Sequence, residues 1–198
     1  MDLKKLRRIG LVIGALLIIS TLWLRKSLEK KEPVLPILGE VPEFVLYDSK
    51  AKEFSYESLK GKVWVADFIF TSCSGICPIM TNKMSYLHKN YLLENDVRMV
   101  SISVDPETDS PQVLDDFASK YEADTEKWYF LTGATEKIHK LAVEGFKIGS
   151  VEDPVMHSAK FALVDKNMKI RGYYDGTEDK EVEKLLGDIL LILDESEK

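Results

Sequence analysis

Two cysteines four residues apart are the side chains of this sequence best suited to chemistry. Cys73 and Cys77 are its only cysteines, and they lie in the stretch CSGICP directly after an apolar run. So few cysteines, placed so close together, indicate a site rather than the disulfide framework of a small secreted domain. The amino end of a helix lowers the pKa of a thiol placed there, and the thiolate is both a nucleophile and a metal ligand.

The spacing of the two cysteines leaves two kinds of chemistry open. In a helical turn, residues i and i+4 share a face, so both sulfurs can bind one ion, whereas a looser loop around Gly75 also allows a disulfide. Two thiolates alone suit Cu(I), Zn or an iron–sulfur cluster. The lack of further cysteines argues against a cluster and against a four-cysteine zinc site. A metal would therefore need another ligand from elsewhere in the chain.

Three histidines are candidates for that ligand. His88 and His139 stand beside lysines in predicted helices, and we expect both on the solvated surface. His157 differs because it lies in an irregular stretch just before a predicted core strand. A loop there can reach the start of the helix that follows the cysteines, although the sequence leaves open whether it does so.

The cysteines lie where a strand is predicted to end and a helix to begin. Residues 63–70 (VWVADFIF) form a nearly continuous apolar run, which is typical of a central strand buried on both faces. Pro78 suits the first turn of a helix. The site is thus predicted at the carboxyl end of a central strand, where open α/β sheets commonly bind ligands.

Strands and helices alternate through the rest of the body. After an initial hairpin, the order β-α-β-α-β-α-β-β-α predicts an α/β fold with a thioredoxin-like, mixed and mostly parallel central sheet and helices on both faces. The predicted strands are 44–47, 53–56, 63–70, 97–104, 128–131, 161–164 and 170–174, and the predicted helices are 78–94, 111–121, 135–146 and 180–193.

The amino-terminal segment is predicted to be a membrane anchor. A charge-free run from Ile9 to Leu24 is flanked by basic residues on both sides, so the charge pattern does not fix its orientation. As a helix the run would measure about 24 Å, which snorkelling Lys and Arg side chains can extend across a bilayer core. It lacks a small-residue cleavage pattern and a cysteine to accept lipid. We expect a transmembrane helix within residues 1–28, an extended tether at 29–41 and one folded domain at 42–198.

The composition is that of a globular protein, with 45% hydrophobic and 30% charged residues. Residues 1–31 hold eight Lys and Arg against two acidic residues, which leaves the remainder with a net charge of −12. An acidic body of this kind makes nucleic acid an improbable partner, because phosphate recognition needs a basic surface.

Three separated motifs resemble the Sco/SenC family: FTSCSGICP at 70–78, SVDPETDSP at 103–111 and MHSAKFALVD at 156–165. The resemblance extends over about residues 42–193. Members of that family are thioredoxin-fold copper proteins, so it implies copper, as Cu(I) or Cu(II), held by Cys73, Cys77 and His157. It also implies a single-pass protein of the plasma (inner) membrane with its domain on the extracytoplasmic side.

Other residues of the motifs either match the family pattern or depart from it. Asp105 matches the family's acidic residue after the second strand, although a cap or turn role explains it equally well. Ser74 and Gly75 replace a proline and an acidic residue that are frequent in the family, and Met156 replaces an acidic residue before the histidine. Fewer acidic groups beside the thiolates should ease their ionisation, and Met156 is either a weak soft ligand or a packing residue.

The function implied by the resemblance is that of a copper metallochaperone, not primarily an enzyme, with cytochrome c oxidase subunit II or another copper or thiol protein as its partner. A thiol–disulfide oxidoreductase, with Cys73 attacking and Cys77 resolving, is the alternative and needs no histidine. A thiol peroxidase is a third hypothesis, which only analogy with the fold's relatives supports.

Overall fold

The structure is a computed structural model that describes residues 13, 14, 16–21, 35–91, 93–149 and 158–195. The chain divides into two units, Met1–Val34 and Leu35–Lys198. The described residues of the first unit are helical, and most of the predicted membrane helix, residues 1–28, lies outside the described residues. Within the described part of the chain, no helix combines the length and the apolar character needed to span a bilayer.

Eight strands of the second unit form one sheet. They are β1 (Gly39–Glu40), β2 (Val45–Asp48), β3 (Glu53–Ser55), β4 (Val63–Ile69), β5 (Val97–Ser103), β6 (Trp128–Thr132), β7 (Lys160–Val164) and β8 (Lys169–Asp175). Their order across the sheet is β1-β8-β7-β4-β5-β6-β2-β3. This arrangement confirms the predicted hairpin and places the strand that precedes the cysteines, β4, in the interior of the sheet.

The sheet is mixed, as predicted, but the expectation that it is mostly parallel is wrong. Only the β4–β5 and β5–β6 pairs are parallel among the described strands, and the other five pairs are antiparallel. The hairpins β2–β3 and β7–β8 have connections too short for a parallel crossover. In addition, β7 runs antiparallel beside β4, a direction that the order of elements along the chain does not determine.

Helices cover both faces of the sheet, as predicted. One core joins β4 to α1 (Cys77–Asn90), α2 (Pro111–Lys120) and α4 (Asp179–Glu195). The opposite core contains α3 (Thr135–Lys140), the π-helical turn Leu141–Gly145 that follows it and the 3₁₀ helix Tyr56–Leu59. Proline stands in the first turn of both α1 and α2, and the Ser110 hydroxyl accepts a hydrogen bond from the Val113 N–H to cap α2.

Strand β4 is buried along its whole length, which agrees with its apolar sequence. Trp64, Ala66 and Phe68 face the α3 core, whereas Val63, Val65 and Ile69 face the α1 core. By the same alternation Asp67 points toward the α1 core, the core that also contains Cys77.

The predicted tether, residues 29–41, is described from residue 35 onward, and within that part Gly39–Glu40 forms the edge strand β1. The Leu38 N–H donates to the Ile170 carbonyl at 2.8 Å, and the Val41 N–H donates to the Met168 carbonyl at 2.9 Å. The Arg171 guanidinium binds the Leu35 carbonyl at 2.7 Å. The tether prediction is therefore wrong for these residues, because prolines and a glycine also suit a short edge strand.

Candidate metal and thiol site

The two cysteines lie at the carboxyl end of β4 and the amino end of α1, as predicted. After Ile69 the chain turns, and the Cys73 N–H donates to the Phe70 carbonyl at 3.2 Å. Cys77 is the first residue of α1 and is 5% exposed, whereas Cys73 is only half-buried. Both are free thiols, so the site contains one accessible sulfur and one covered sulfur.

The helix start favours the thiolate of Cys73. Partial burial of this thiol opposes its ionisation. The backbone N–H of Cys77, the Cys77 side chain and the N–H groups of Gly75 and Ile76 outweigh that effect and lower the pKa of Cys73. Cys73 is therefore the sulfur that ionises first and can attack an electrophile or bind a metal ion.

Cys77 has the opposite character. Burial raises the pKa of Cys77 to about 12, although a backbone hydrogen bond from Phe70 opposes the change, and the neighbouring Cys73 and the charge of Asp67 raise it further. Cys77 is therefore protonated near neutral pH until a metal ion or a disulfide bond displaces the proton.

Asp67 is a buried acid next to this pair that sequence reasoning missed. Its side chain is fully buried, and neither carboxyl oxygen has a hydrogen bond of acceptable geometry. Burial raises the pKa of Asp67 to about 7, and the Ser101 hydroxyl on the paired strand lowers it only in part. The signal was present in the sequence, since Asp67 is the one charged residue in the apolar run of residues 63–70.

The two histidines that the structure describes lie in different environments. His88 is 3% exposed, so the prediction that it lies on the solvated surface is wrong. Its Nε2 accepts a hydrogen bond from the Asp124 N–H at 3.2 Å and its ring packs on Trp128, contacts that flanking lysines do not reveal. His139 is half-buried in α3, and His157 lies outside the described residues. No group of three or more His, Cys, Asp and Glu side chains within the described ranges is arranged to hold a metal ion.

The second motif contains two acidic residues, Asp105 and Asp109, whose roles in the structure differ. Asp105 is half-buried, and its carbonyl accepts hydrogen bonds from the N–H groups of Thr108 and Asp109, which is a turn role. The fully buried side chain is that of Asp109, whose carboxyl group binds Thr71 in the turn before Cys73. Met156, the other residue noted in the motifs, lies outside the described residues.

Comparison with known proteins gives a consistent result. The family model described as SCO1/SenC matches residues 39–190. The SCO1 protein homolog of Bacillus subtilis (strain 168) is 41% identical over 160 residues, which are 78% of this chain and 83% of that protein.

Solved structures of similar proteins share the fold. A SCO1/SenC family lipoprotein from Bacillus anthracis str. Ames aligns with a TM-score of 0.70 at 35% identity, over 83% of this chain and 98% of its own. BsSco aligns with a TM-score of 0.72 at 39% identity, over 81% and 98% of the two chains; it is a member of the Sco family of cytochrome c oxidase assembly proteins and contains a disulfide switch. Yeast Sco1 with copper bound aligns with a TM-score of 0.61 at 25% identity, over 78% and 93%.

Proposed function

Because the chain belongs to the SCO1/SenC family, we propose that it is a copper metallochaperone that delivers a copper ion to the binuclear copper site of cytochrome c oxidase. The acceptor is then subunit II of the oxidase, or another copper or thiol protein. The observation that carries the proposal is the pair of free thiols, Cys73 and Cys77, at the amino end of α1. The copper held by yeast Sco1 and the oxidase assembly role of BsSco's family support the same assignment.

We assign three ligands to the copper ion: Cys73, Cys77 and His157. Thiolates are soft ligands that suit Cu(I), and an imidazole also suits Cu(II), so this set accepts copper in either oxidation state. His157 enters the proposal through its place in the third family motif, one residue before the described chain resumes at Ser158.

The two thiols differ in the order in which they can act. Cys73 is accessible and has the lowered pKa, so it meets the incoming ion first. Cys77 then gives up its proton as its sulfur binds the ion, which makes copper uptake dependent on pH. Three ligands leave the ion with an open coordination position, so an acceptor ligand can attach before one of these is lost. Delivery then needs no release of free copper.

A copper titration of the reduced chain tests the assignment. Wild type and the variants Cys73→Ser, Cys77→Ser and His157→Ala are titrated anaerobically with Cu(I) and separately with Cu(II). We expect wild type to bind one ion with Cu(II)–thiolate charge-transfer absorption, and each variant to lose affinity and change that absorption. His139→Ala is the matched control, because it removes an imidazole on α3, which packs on the opposite face of the sheet from α1. Copper binding by His157→Ala that equals wild type would rule out the three-ligand site.

The unequal thiols also favour a second function, that of a thiol–disulfide oxidoreductase. In this reaction the Cys73 thiolate attacks a partner disulfide and releases one partner sulfur as a thiolate. Cys77 then loses its proton and attacks the mixed disulfide at the Cys73 sulfur, which releases the second partner sulfur. The partner gains two electrons and two protons, and the chain is left with a Cys73–Cys77 disulfide. The accessible Cys73, with its lowered pKa, suits the attacking role, and the covered Cys77, with its raised pKa, suits the resolving role.

Reduction of insulin by the metal-free chain separates the two functions. Rapid turnover that persists in His157→Ala but is lost in Cys73→Ser would favour the oxidoreductase. Turnover no faster than that of free dithiothreitol, together with copper binding, would favour the metallochaperone.

We also propose that residues 1–28 anchor the chain in the plasma (inner) membrane as a single span, with the domain on the extracytoplasmic side. A Bacillus anthracis member of the family is a lipoprotein, but the segment 1–28 has no cysteine to accept a lipid, so a helix is the anchor that this sequence allows. The full chain should stay with membranes in alkaline carbonate, and protease added to intact spheroplasts should digest its domain. Release by carbonate would contradict the span, and protection from protease would contradict the orientation.

A further inference from the structure

Asp109 is a buried acidic side chain that is not among the proposed copper ligands, and it contacts Thr71, two residues before Cys73. Its side chain is 0% exposed. One carboxyl oxygen accepts hydrogen bonds from the Thr71 N–H at 3.0 Å and the Ser103 hydroxyl at 2.6 Å. The other oxygen accepts a hydrogen bond from the Thr71 hydroxyl at 2.5 Å. Three donors from two different strand ends therefore converge on one carboxyl group.

These contacts continue the β4–β5 pairing beyond the point where the strands separate. The parallel register ends with Ile69 opposite Ser103, and the Val104 N–H donates to the Ile69 carbonyl at 2.8 Å. Past this point backbone pairing stops. Asp109 then bridges Thr71, two residues after the end of β4, to Ser103, the last residue of β5.

Asp109 can bridge the two strand ends because its own position is fixed. Its N–H donates to the Asp105 carbonyl at 2.8 Å, and the Asp105 N–H donates to the Ser103 hydroxyl oxygen at 3.1 Å. The next residue, Ser110, caps α2. The carboxyl group is thus anchored by a turn on one side and by a helix start on the other.

Through Thr71, Asp109 holds residues 70–76, the segment that we call the cysteine loop. Inside this loop the Cys73 N–H donates to the Phe70 carbonyl at 3.2 Å, which is at the long end of the hydrogen-bond range. Thr71 lies between the two residues joined by that bond. Its two hydrogen bonds to Asp109 therefore fix the loop directly before the accessible cysteine.

We propose that Asp109 is a positioning residue that holds the cysteine loop in its dithiol geometry by fixing Thr71 to the end of β5. The proposal deepens the proposed function, on which it rests, because two sulfurs held apart from a disulfide are available to bind a metal ion. The hydrogen bonds exist while both thiols are free. We infer that forming a disulfide, whose sulfur atoms lie about 2.05 Å apart, moves the loop away from the geometry that these hydrogen bonds fix. Release of Thr71 lowers the cost of that movement and favours the disulfide.

The test is the thiol–disulfide equilibrium of the metal-free chain with glutathione. Oxidation of the pair transfers two electrons and two protons to oxidised glutathione, which becomes two molecules of reduced glutathione. In Asp109→Asn the amide supplies one acceptor oxygen and a donor where three donors converge, so the hydrogen bonds cannot all form. We expect the equilibrium constant for oxidation to rise about tenfold, which corresponds to about 30 mV for this two-electron couple.

Two Thr71 variants test the same contact without altering the buried acid. Thr71→Val removes one hydroxyl and should shift the equilibrium in the same direction by a smaller factor, whereas Thr71→Ser keeps both hydrogen bonds and should match wild type. If Asp109→Asn fails to fold, the comparison of these two variants decides. A wild-type value for Thr71→Val would then overturn the proposal.

A matched control separates positioning from loss of stability. Asp165 is also a buried acid that accepts several hydrogen bonds, and it follows β7 at the end of the sheet where β4 begins. Asp165→Asn should leave the equilibrium unchanged even though the variant is less stable. An equal shift in Asp165→Asn, no shift in Asp109→Asn, or a shift toward the dithiol would overturn the proposal. Because the measurement contains no copper, failure of wild type to bind copper would reject the proposed function and leave this comparison valid.

Discussion

A fully buried acid, Asp67, makes the stability of this domain depend on pH. The pKa of Asp67 rises on folding from an ordinary value of 3.8 to about 7. The folded state therefore keeps the proton of Asp67 over a range in which the unfolded chain has lost it. Stability that is fully present below pH 3.8 is lost as the pH rises through about 7.

We predict that Asp67→Asn removes this loss. At about 1.4 kcal/mol per pKa unit, the full change in the free energy of unfolding is about 4 kcal/mol. Urea unfolding of the reduced chain at pH 5 and pH 8 should show the variant gaining stability relative to wild type as the pH increases. A difference between the two proteins that is the same at both pH values would contradict the raised pKa.

The two thiols should react at very different rates. Near pH 8 the Cys77 thiol, whose pKa is about 12, is almost wholly protonated and covered, whereas Cys73 is accessible with a lowered pKa. We expect iodoacetamide to alkylate Cys73 at least about 100-fold faster than Cys77, because the thiolate is the nucleophile. Mass spectrometry of the peptides over time measures both rates in native protein, and urea-unfolded protein is the control. Equal rates in the native chain would contradict the difference.

Single residues also show where sequence reasoning succeeded and where it failed. Spacing and position next to a buried run predicted that Cys73 and Cys77 lie at the junction of β4 and α1, where the structure has them, because both signals are local. The roles of His88, Asp67 and Asp109 depend on the backbone and side-chain groups that the fold places next to them. Flanking residues contain no information about such contacts.

At the scale of elements, one buried guanidinium joins three parts of the chain. Arg171 on β8 is 6% exposed and binds Asp165 after β7 at 2.9 Å, Glu195 at the end of α4 at 3.0 Å and the Leu35 carbonyl at 2.7 Å. Removing one partner of a buried ion pair leaves the other partner unpaired in a low-dielectric interior.

We therefore predict that Arg171→Met lowers the free energy of unfolding by about 3–5 kcal/mol. The double variant Arg171→Met/Asp165→Asn should recover much of this loss, since no buried charge is then left alone and the amide oxygen still accepts from the N–H groups of Asn167 and Lys169. Urea unfolding measures both variants, and limited proteolysis should show faster cleavage near residue 35 in the single variant. A double variant no more stable than the single one would contradict this account.

The elements themselves were predictable where hydrophobic periodicity was strong. All the helices and strands predicted for residues 42–198 are present, although α1 ends at Asn90 rather than at 94, and Gly39–Glu40 adds an edge strand before residue 42. Strand direction was not predictable in the same way. The antiparallel neighbour of β4 is β7, which follows β6 after a long connection. The order of elements along the chain does not determine the direction in which β7 runs beside β4.

For the whole molecule, copper uptake and folding should be linked. A ligand that binds only the folded state adds about 2.7 kcal/mol of stability when its free concentration is 100 times Kd. We predict that Cu(I) raises the melting temperature of the reduced chain and has no such effect on the chain with a Cys73–Cys77 disulfide. Scanning calorimetry of both forms, with and without the ion, measures this. An equal rise in the oxidised form would place the bound ion away from the thiols.

Because the Cys77 sulfur is more deeply buried than the Cys73 sulfur, a molecule or ion that enters the site contacts the two sulfurs in a fixed order. A reagent, an ion or a partner protein that approaches from solvent encounters the half-buried Cys73, because Cys77 is 5% exposed at the base of α1. A bound species therefore enters and leaves the site on the side of Cys73. If the chain passes copper to an acceptor as proposed, we expect the acceptor to present its ligand to Cys73 on a protruding group, because a recessed ligand could not reach this sulfur.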